Sequence, residues 1–156
     1  MIPINDYRQF VAELINYACQ AAGIQETPTI RLAVTESQLV NLLKDLGGIV
    51  IAGNIPGADI TKGGWFKSEG ECLLMVLEKM PEDYQGTERE FDRYAALQRL
   101  MIEIVKLLVN YEGFDRFCDK AEVDYTRPIN IEWEYNEYGG YNGLSITFRL
   151  NDKKVV

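Results

Sequence analysis

The most regular pattern in the chain is a series of apolar residues, spaced three and four apart, between Thr87 and Tyr111. This spacing places the residues on one side of an α-helix. Thr87, followed at the third position by Glu90, fits a capping box at the start of the helix, and Gly113 is suited to end it. The apolar stripe consists of Tyr94, Leu97, Met101, Ile104, Leu108 and Tyr111.

The apolar arc of this predicted helix is wider than one buried face requires. It covers roughly twice the ~100° stripe of a typical surface helix. Leu100 and Leu107 flank the stripe on one side, and Ile102, Val105 and Val109 flank it on the other. We therefore expect two covers, a sheet and a second element that is either another helix or another subunit. A helix near the N terminus is expected to supply most of the second cover, and the flank with Ile102 is predicted to form an interface.

Two further helices are predicted before this stretch. Residues 5–22 carry an apolar face at helical spacing, with Asn5 or Asp6 as the N-cap. Thr35 and Gln38 form a second capping box, which opens a shorter helix that ends at a pair of glycines.

Strands are predicted between and after these helices. Residues 29–34, 49–52 and 71–79 have the composition of strands, and the last two are expected to pair as an antiparallel hairpin with a long connection. Apolar and polar residues alternate over 129–135 and 144–150, with a glycine-bearing connection between them. This alternation predicts a β-hairpin whose apolar face packs on the long helix.

Together these elements predict an α+β fold in a single domain over residues 1–156. A mainly antiparallel sheet packs against the long helix, about 87–111, and the N-terminal helix, about 5–22, and a C-terminal β-hairpin completes it. A chain of this length buries ~70% of its unfolded surface. The three cysteines have no zinc-binding or CxxC spacing, so buried and reduced thiols are expected.

The first candidate binding region is the glycine-rich segment 53–70, which is predicted to be a long loop. Such loops are uncommon and often functional. Trp65 and Phe66 follow two glycines there, and aromatic residues on a loop can anchor a partner. Two alternatives are that the pair folds back over the core, or that the segment is a wide hairpin connection. The glycine spacing fits no phosphate-binding loop.

The second candidate region is an aromatic cluster around the terminal hairpin. Tyrosine and tryptophan are enriched at interfaces, so a contact surface is predicted, with a fully packed hairpin tip as the alternative. Glu132 and Glu134 lie on one face of the same strand and could form a carboxylate pair with an aspartate or glutamate from another element, although alternating acids on a strand are usually solvated. The cluster consists of Trp133, Tyr135, Tyr138 and Tyr141.

Composition narrows the chemistry that the chain can perform. The sequence contains no histidine, which excludes Ser-His-Asp and Cys-His catalysis and HExxH zinc sites. The net charge of -8 argues against binding to nucleic acid, which needs a basic surface. No catalytic residue, cofactor or metal site is predicted. No secretion signal or membrane-spanning run is apparent, so the expected location is the cytoplasm, or a virion if the protein is phage-derived.

The order of elements over roughly residues 30–150 resembles small head–tail connector and tail-completion (tail-terminator) proteins of tailed phages and prophages. The similarity rests on ECLLMVLEK followed by a long amphipathic helix, and on the terminal GGYNGLSITFRL. The resemblance implies a non-enzymatic α+β protein that assembles into a ring by sheet and loop contacts between subunits, with no catalytic residues.

Three functional hypotheses follow. The first is a non-enzymatic structural or assembly protein that forms homo-oligomers, or binds another structural protein, through the long helix and the aromatic loop. A monomeric protein-binding module that uses Trp65 and Phe66 is the second. An enzyme that depends on carboxylates, lysine or a metal is the third.

Overall fold

The structure is a computed structural model that describes residues 2–57, 59–62, 66–110 and 121–152. Its helices and strands confirm the predicted α+β class. In chain order they are α1 (Ile4–Ala22), β1 (Thr29–Ala33), α2 (Glu36–Leu42), β2 (Ile49–Asn54), β3 (Asp59–Lys62), β4 (Phe66–Lys79), a 3-10 turn (Glu82–Tyr84), α3 (Glu88–Val109), β5 (Ala121–Val123), β6 (Asn130–Glu137) and β7 (Tyr141–Asp152).

The described strands form one sheet with β4 and β7 at its centre. These two strands pair in antiparallel fashion from Glu69 opposite Asn151 to Lys79 opposite Tyr141. β2 and β3 follow one another along the other side of β4, and β5 and β6 do the same along β7. β1 pairs in parallel with β2. Among the described residues, β1 therefore forms one edge of the sheet, and β6 with β5 forms the other.

Helices α1 and α3 cover one face of the sheet, here called the helix face. Side chains from both helices and from β2, β4 and β7 form one core there. α3 contacts both α1 and the sheet, so the prediction that it is covered by a sheet and a second helix is confirmed. The buried residues of α3 are Ala96, Leu97, Leu100, Met101, Ile104 and Leu108.

Helix α2 covers the opposite face, here called the α2 face, where a second and smaller core lies. Tyr141 is buried in this core, and its hydroxyl lies 2.8 Å from the carbonyl oxygen of Leu43 and 2.9 Å from that of Leu46. The phenol proton is shared between the two carbonyls and ties the end of α2 to β7. Tyr141 is therefore a core residue, and its prediction as an interface residue is wrong.

The predicted long loop over residues 53–70 is wrong for most of its length, because β3 and the first part of β4 occupy it. The reason is visible at Gly53, where a Cβ atom would lie 2.5 Å from the carbonyl oxygen of Leu73. Here glycine permits two strands to approach closely. The predicted antiparallel pairing of the 49–52 strand with the 71–79 strand is confirmed.

The helix ends differ in part from the predictions. α1 begins at Ile4, and the backbone of Pro3, with no side-chain cap, accepts the first helical bond from Tyr7 at 3.0 Å. The prediction of Asn5 or Asp6 as the N-cap is therefore wrong, because both lie inside the helix.

The two predicted capping boxes have different outcomes. At α2, the Thr35 hydroxyl accepts a hydrogen bond from the Gln38 backbone at 3.2 Å, as predicted. At α3, the Thr87 hydroxyl instead donates to the Tyr84 carbonyl at 2.7 Å, while the Glu90 side chain accepts the Gly86 N–H. The prediction that α3 runs to Gly113 is wrong, because the helix ends at Val109 with Asn110 as its C-cap.

The thiols of Cys19 and Cys72 are free and buried, as expected. Burial is the main reason that the pKa of Cys72 rises to about 12, so this thiol is kept protonated and inert. Cys118 lies outside the described residues.

We predict that Ile104→Ala lowers the free energy of unfolding by ~2–5 kcal/mol, the usual cost of truncating a buried isoleucine. Ile104 is 0% exposed. Ile102→Ala is the matched control, because the same truncation at a 45% exposed position of the same helix leaves no internal cavity. Urea unfolding measures both, at a protein concentration low enough to keep the chain monomeric, because Ile102 is also predicted to lie in an interface. Equal losses in the two variants would show that the assigned phase of α3 is wrong.

Tyr141→Phe is expected to lower the unfolding free energy by ~1–3 kcal/mol, because it leaves buried carbonyl groups without their donor. Tyr135→Phe removes the same hydroxyl from an exposed tyrosine of β6 and serves as the control. If chemical denaturation gives the same stability for both variants, Tyr141 does not tie α2 to the sheet.

Candidate interaction surface

A groove of about 290 Å³ runs between α3 and β6 and is called the α3–β6 groove. Three large apolar side chains lie in its walls with much of their surface in solvent. Trp133 is 54% exposed, and Ile102 and Ile131 are each 45% exposed. The lining residues are Gln98, Met101, Ile102, Val105, Lys106, Ile131, Trp133 and Leu144.

The strand register explains why these side chains come together. Ile131 lies opposite Ile146, and Trp133 lies opposite Leu144. Both partners belong to the core under α1 and α3, so Ile131 and Trp133 also point to the helix face. They nevertheless stay exposed because they lie one strand further out, where the helices give only partial cover. The α3–β6 groove is thus the open end of the core.

Tyr94 connects α3 to this end of the sheet. Its ring packs edge-on against Trp133 with the ring centres 5.6 Å apart, and its hydroxyl donates to Glu90 at 2.6 Å. Partial burial, together with the adjacent Glu90 carboxylate, raises the pKa of Tyr94 to about 12. The bond from Tyr94, with a second from the Gly86 N–H, lowers the pKa of Glu90. The tyrosine therefore stays protonated, and the bond to Glu90 holds its ring against the indole.

The α2 face of β6 has the opposite character. Glu132 lies opposite Ser145, and Glu134 lies opposite Gly143. Glu134 accepts a hydrogen bond from the Ser145 hydroxyl at 2.7 Å. The strand therefore presents apolar groups on one face and carboxylates on the other. Over the described part of the chain, no group of three or more cysteine, aspartate and glutamate side chains could hold a metal ion.

The structure brings several of the predicted interface residues together. Ile102, Val105 and Trp133 line one groove. Val109 and Tyr135 are exposed on the same two elements, α3 and β6.

The other predicted interface residues lie elsewhere. Tyr138 is half-buried and packs against the α2-face core. Tyr141 belongs to that core. Phe66 opens β4, where its backbone pairs with that of Lys62, and its side chain is outside the described part of the structure. Trp65 lies outside the described residues.

A second groove, which the sequence did not reveal, follows the opposite edge of the sheet. It has a volume of about 730 Å³, lies between α1 and β1, and is called the α1–β1 groove. The only signals in the sequence were Arg31 within a strand and Arg8 on a helix, and neither is informative until β1 is known to be an edge. The lining residues are Ile4, Asn5, Arg8, Gln9, Ala12, Ile30, Arg31, Leu32, Leu42 and Ile55.

The sequence matches no protein-family model and no curated protein sequence. None of the helices in the described ranges has the length and apolar character that crossing a membrane requires.

We predict that Tyr94→Phe raises the pKa of Glu90 toward the ordinary value of a glutamate, because it removes the main hydrogen bond to that carboxylate. A carboxyl whose folded pKa is lowered stabilises the fold above its unfolded pKa, and this contribution is lost as the pH falls through the folded pKa. The acid-side pH dependence of stability should therefore become shallower in the variant.

An NMR titration of the Glu90 side chain measures this shift. Tyr84→Phe is the control, because it changes a tyrosine near the start of α3 and retains the Tyr94 hydroxyl. An unchanged Glu90 pKa in Tyr94→Phe would contradict the proposed coupling.

Proposed function

We propose that this chain is a non-enzymatic structural protein that assembles with further copies of itself. The single observation that carries the proposal is the group of exposed apolar side chains in the α3–β6 groove, Ile102, Ile131 and Trp133. Scattered exposed apolar residues are normal, whereas a contiguous group at one site usually marks an interaction surface.

The position of this group next to a sheet edge supports assembly. An edge strand presents unpaired backbone N–H and C=O groups, which can pair with another chain. Natural edges are often protected by lysine, proline or a covering element. β6 has the sequence NIEWEYNE, which contains neither lysine nor proline. Its irregularity in strand pairing falls between Glu134 and Glu137, beyond Ile131 and Trp133, so the part of the edge beside the groove keeps a regular register. Tryptophan is also among the residues that most often anchor protein interfaces.

The chemical inventory and the resemblance support the same function. A histidine-free sequence suits a role that needs no general base. The similarity to phage head–tail connector and tail-completion proteins implies a structural role of this kind. We therefore propose a phage-like assembly component, located in the cytoplasm or, if phage-derived, in the virion.

A second candidate function is a monomeric protein-binding module. The α3–β6 groove favours it in one respect, because an apolar groove beside an edge strand can also receive a segment of a different protein. The mass of the protein in solution separates the two functions.

Light scattering at tens of micromolar protein is expected to give a mass above that of one chain. Trp133→Ala should shift this mass toward the monomer while the far-UV circular dichroism stays unchanged, because the side chain is half in solvent in a single copy. Tyr17→Ala is the control, since it removes an exposed aromatic residue of α1 that lines neither groove. A strict monomer would contradict self-assembly and leave the binding module.

A further inference from the structure

We propose that copies of this chain join head to tail, with β6 of one copy pairing in antiparallel fashion with β1 of the next. In this arrangement Trp133 enters the α1–β1 groove of the neighbour, and Arg31 of that neighbour faces Glu132 and Glu134. The inference rests on the proposed self-assembly and specifies which surfaces meet.

The strand directions permit this pairing. β1 and β2 run in the same direction, β4 runs opposite to β2, β7 opposite to β4, and β6 opposite to β7. β6 therefore runs opposite to β1. When a second copy continues the sheet in its own plane, its β1 meets β6 in antiparallel orientation. Antiparallel strands form a regular ladder of hydrogen bonds between their backbones.

The helix faces of the two edges match in chemistry. On β1, Ile30 lies opposite Ile51, which points into the core under α1 and α3, and Ile30 and Leu32 both pack against that core. On β6, Ile131 and Trp133 point to the same face. Because alternate side chains keep their face along a pleated sheet, a continued sheet places these two apolar pairs side by side.

The α2 faces of the two edges match in charge. Arg31 lies opposite Ala52, which belongs to the core under α2. Glu132 and Glu134 lie on that same face of β6. Opposite charges on neighbouring strands stabilise their pairing, and like charges directly opposite one another destabilise it.

This charge pattern distinguishes head-to-tail joining from a two-fold contact. Two β6 strands that pair with each other would bring Glu132 and Glu134 against the same two carboxylates. Two β1 strands would bring Arg31 against Arg31. Only the pairing of β6 with β1 places the basic edge against the acidic one. A contact between different surfaces leaves one open edge at each end, so the assembly either closes into a ring or grows as a filament.

The α1–β1 groove also has room for the side chain that the other edge presents. Its volume is about 730 Å³, and Ile4, Ile30 and Leu32 supply apolar wall. Arg8 adds a cation to the same wall, and guanidinium groups bind well over the face of an indole. A tryptophan that enters such a pocket is a typical centre of an interface.

Paired charge reversals test this arrangement, with sedimentation velocity as the measurement. Arg31→Glu alone, and Glu132→Arg combined with Glu134→Arg in a second variant, should each weaken self-association about tenfold or more, because both place like charges across the joint. An equimolar mixture of the two variants should associate again, because each joint then contains opposite charges. Arg99→Glu makes the same change of net charge on an exposed position of α3 and should associate like the wild type.

The outcomes separate the two proposals. A monomeric wild type overturns self-assembly itself. An associating wild type that Arg31→Glu affects no more than Arg99→Glu overturns the head-to-tail joint. If Arg31→Glu fails to fold by circular dichroism, Arg8→Glu tests the other contact of the same joint, because it removes the guanidinium expected over the Trp133 indole from an exposed helical position and should also weaken association.

Discussion

The pairing of β4 with β7 is the interaction on which the rest of the structure depends. It is the longest strand pair, and both of its faces are covered. Leu74 and Val76 face α1 and α3, while Met75 and Leu77 face α2. A strand buried on both faces has a nearly continuous apolar sequence. The approach is so close that a Cβ atom on Gly143 would lie 1.9 Å from the carbonyl oxygen of Val76, so glycine is required at that position.

The exposed surfaces follow from this central pair. The helices cover the central strands β4 and β7, but they cover the outer strands β1 and β6 only in part. On one side this leaves Trp133 and Ile131 exposed beside α3, and on the other it leaves the α1–β1 groove. The candidate interface is therefore a continuation of the core. The same register that buries Leu144 and Ile146 points their β6 neighbours toward a place that none of the described helices fills.

Local patterns were sufficient to predict the elements that have strong periodicity. The wide apolar arc of α3 correctly indicated a double cover, since contact with α1 and the sheet needs more than one face. The same arc singled out Ile102 and Val105, which line the α3–β6 groove. Tyr141 was predicted to lie at an interface but is buried in the core. An aromatic residue near a hairpin tip has the same sequence context whether its hydroxyl faces solvent or a buried carbonyl.

The remaining features depend on strand order, which the sequence does not display. β7 pairs with β4 although the two strands are far apart in the sequence, and this pairing places β6 at an edge of the sheet. Until that order is known, Arg31 is an ordinary polar residue in a strand and Glu132 is an ordinary solvated acid. The predicted loop over 53–70 failed for a related reason, because glycines that permit close strand contact have the same signature as glycines in a flexible connection.

Backbone hydrogen exchange, compared at low and high protein concentration, tests most directly whether the edge strands form the contacts between copies. Pairing of β6 with β1 predicts that amides in Asn130–Glu137 and Thr29–Ala33 exchange more slowly as association increases, while those around Ile104 in the interior of α3 do not change. Exchange in both edge strands that is independent of concentration, in a sample whose mass has increased, would contradict assembly through these edges.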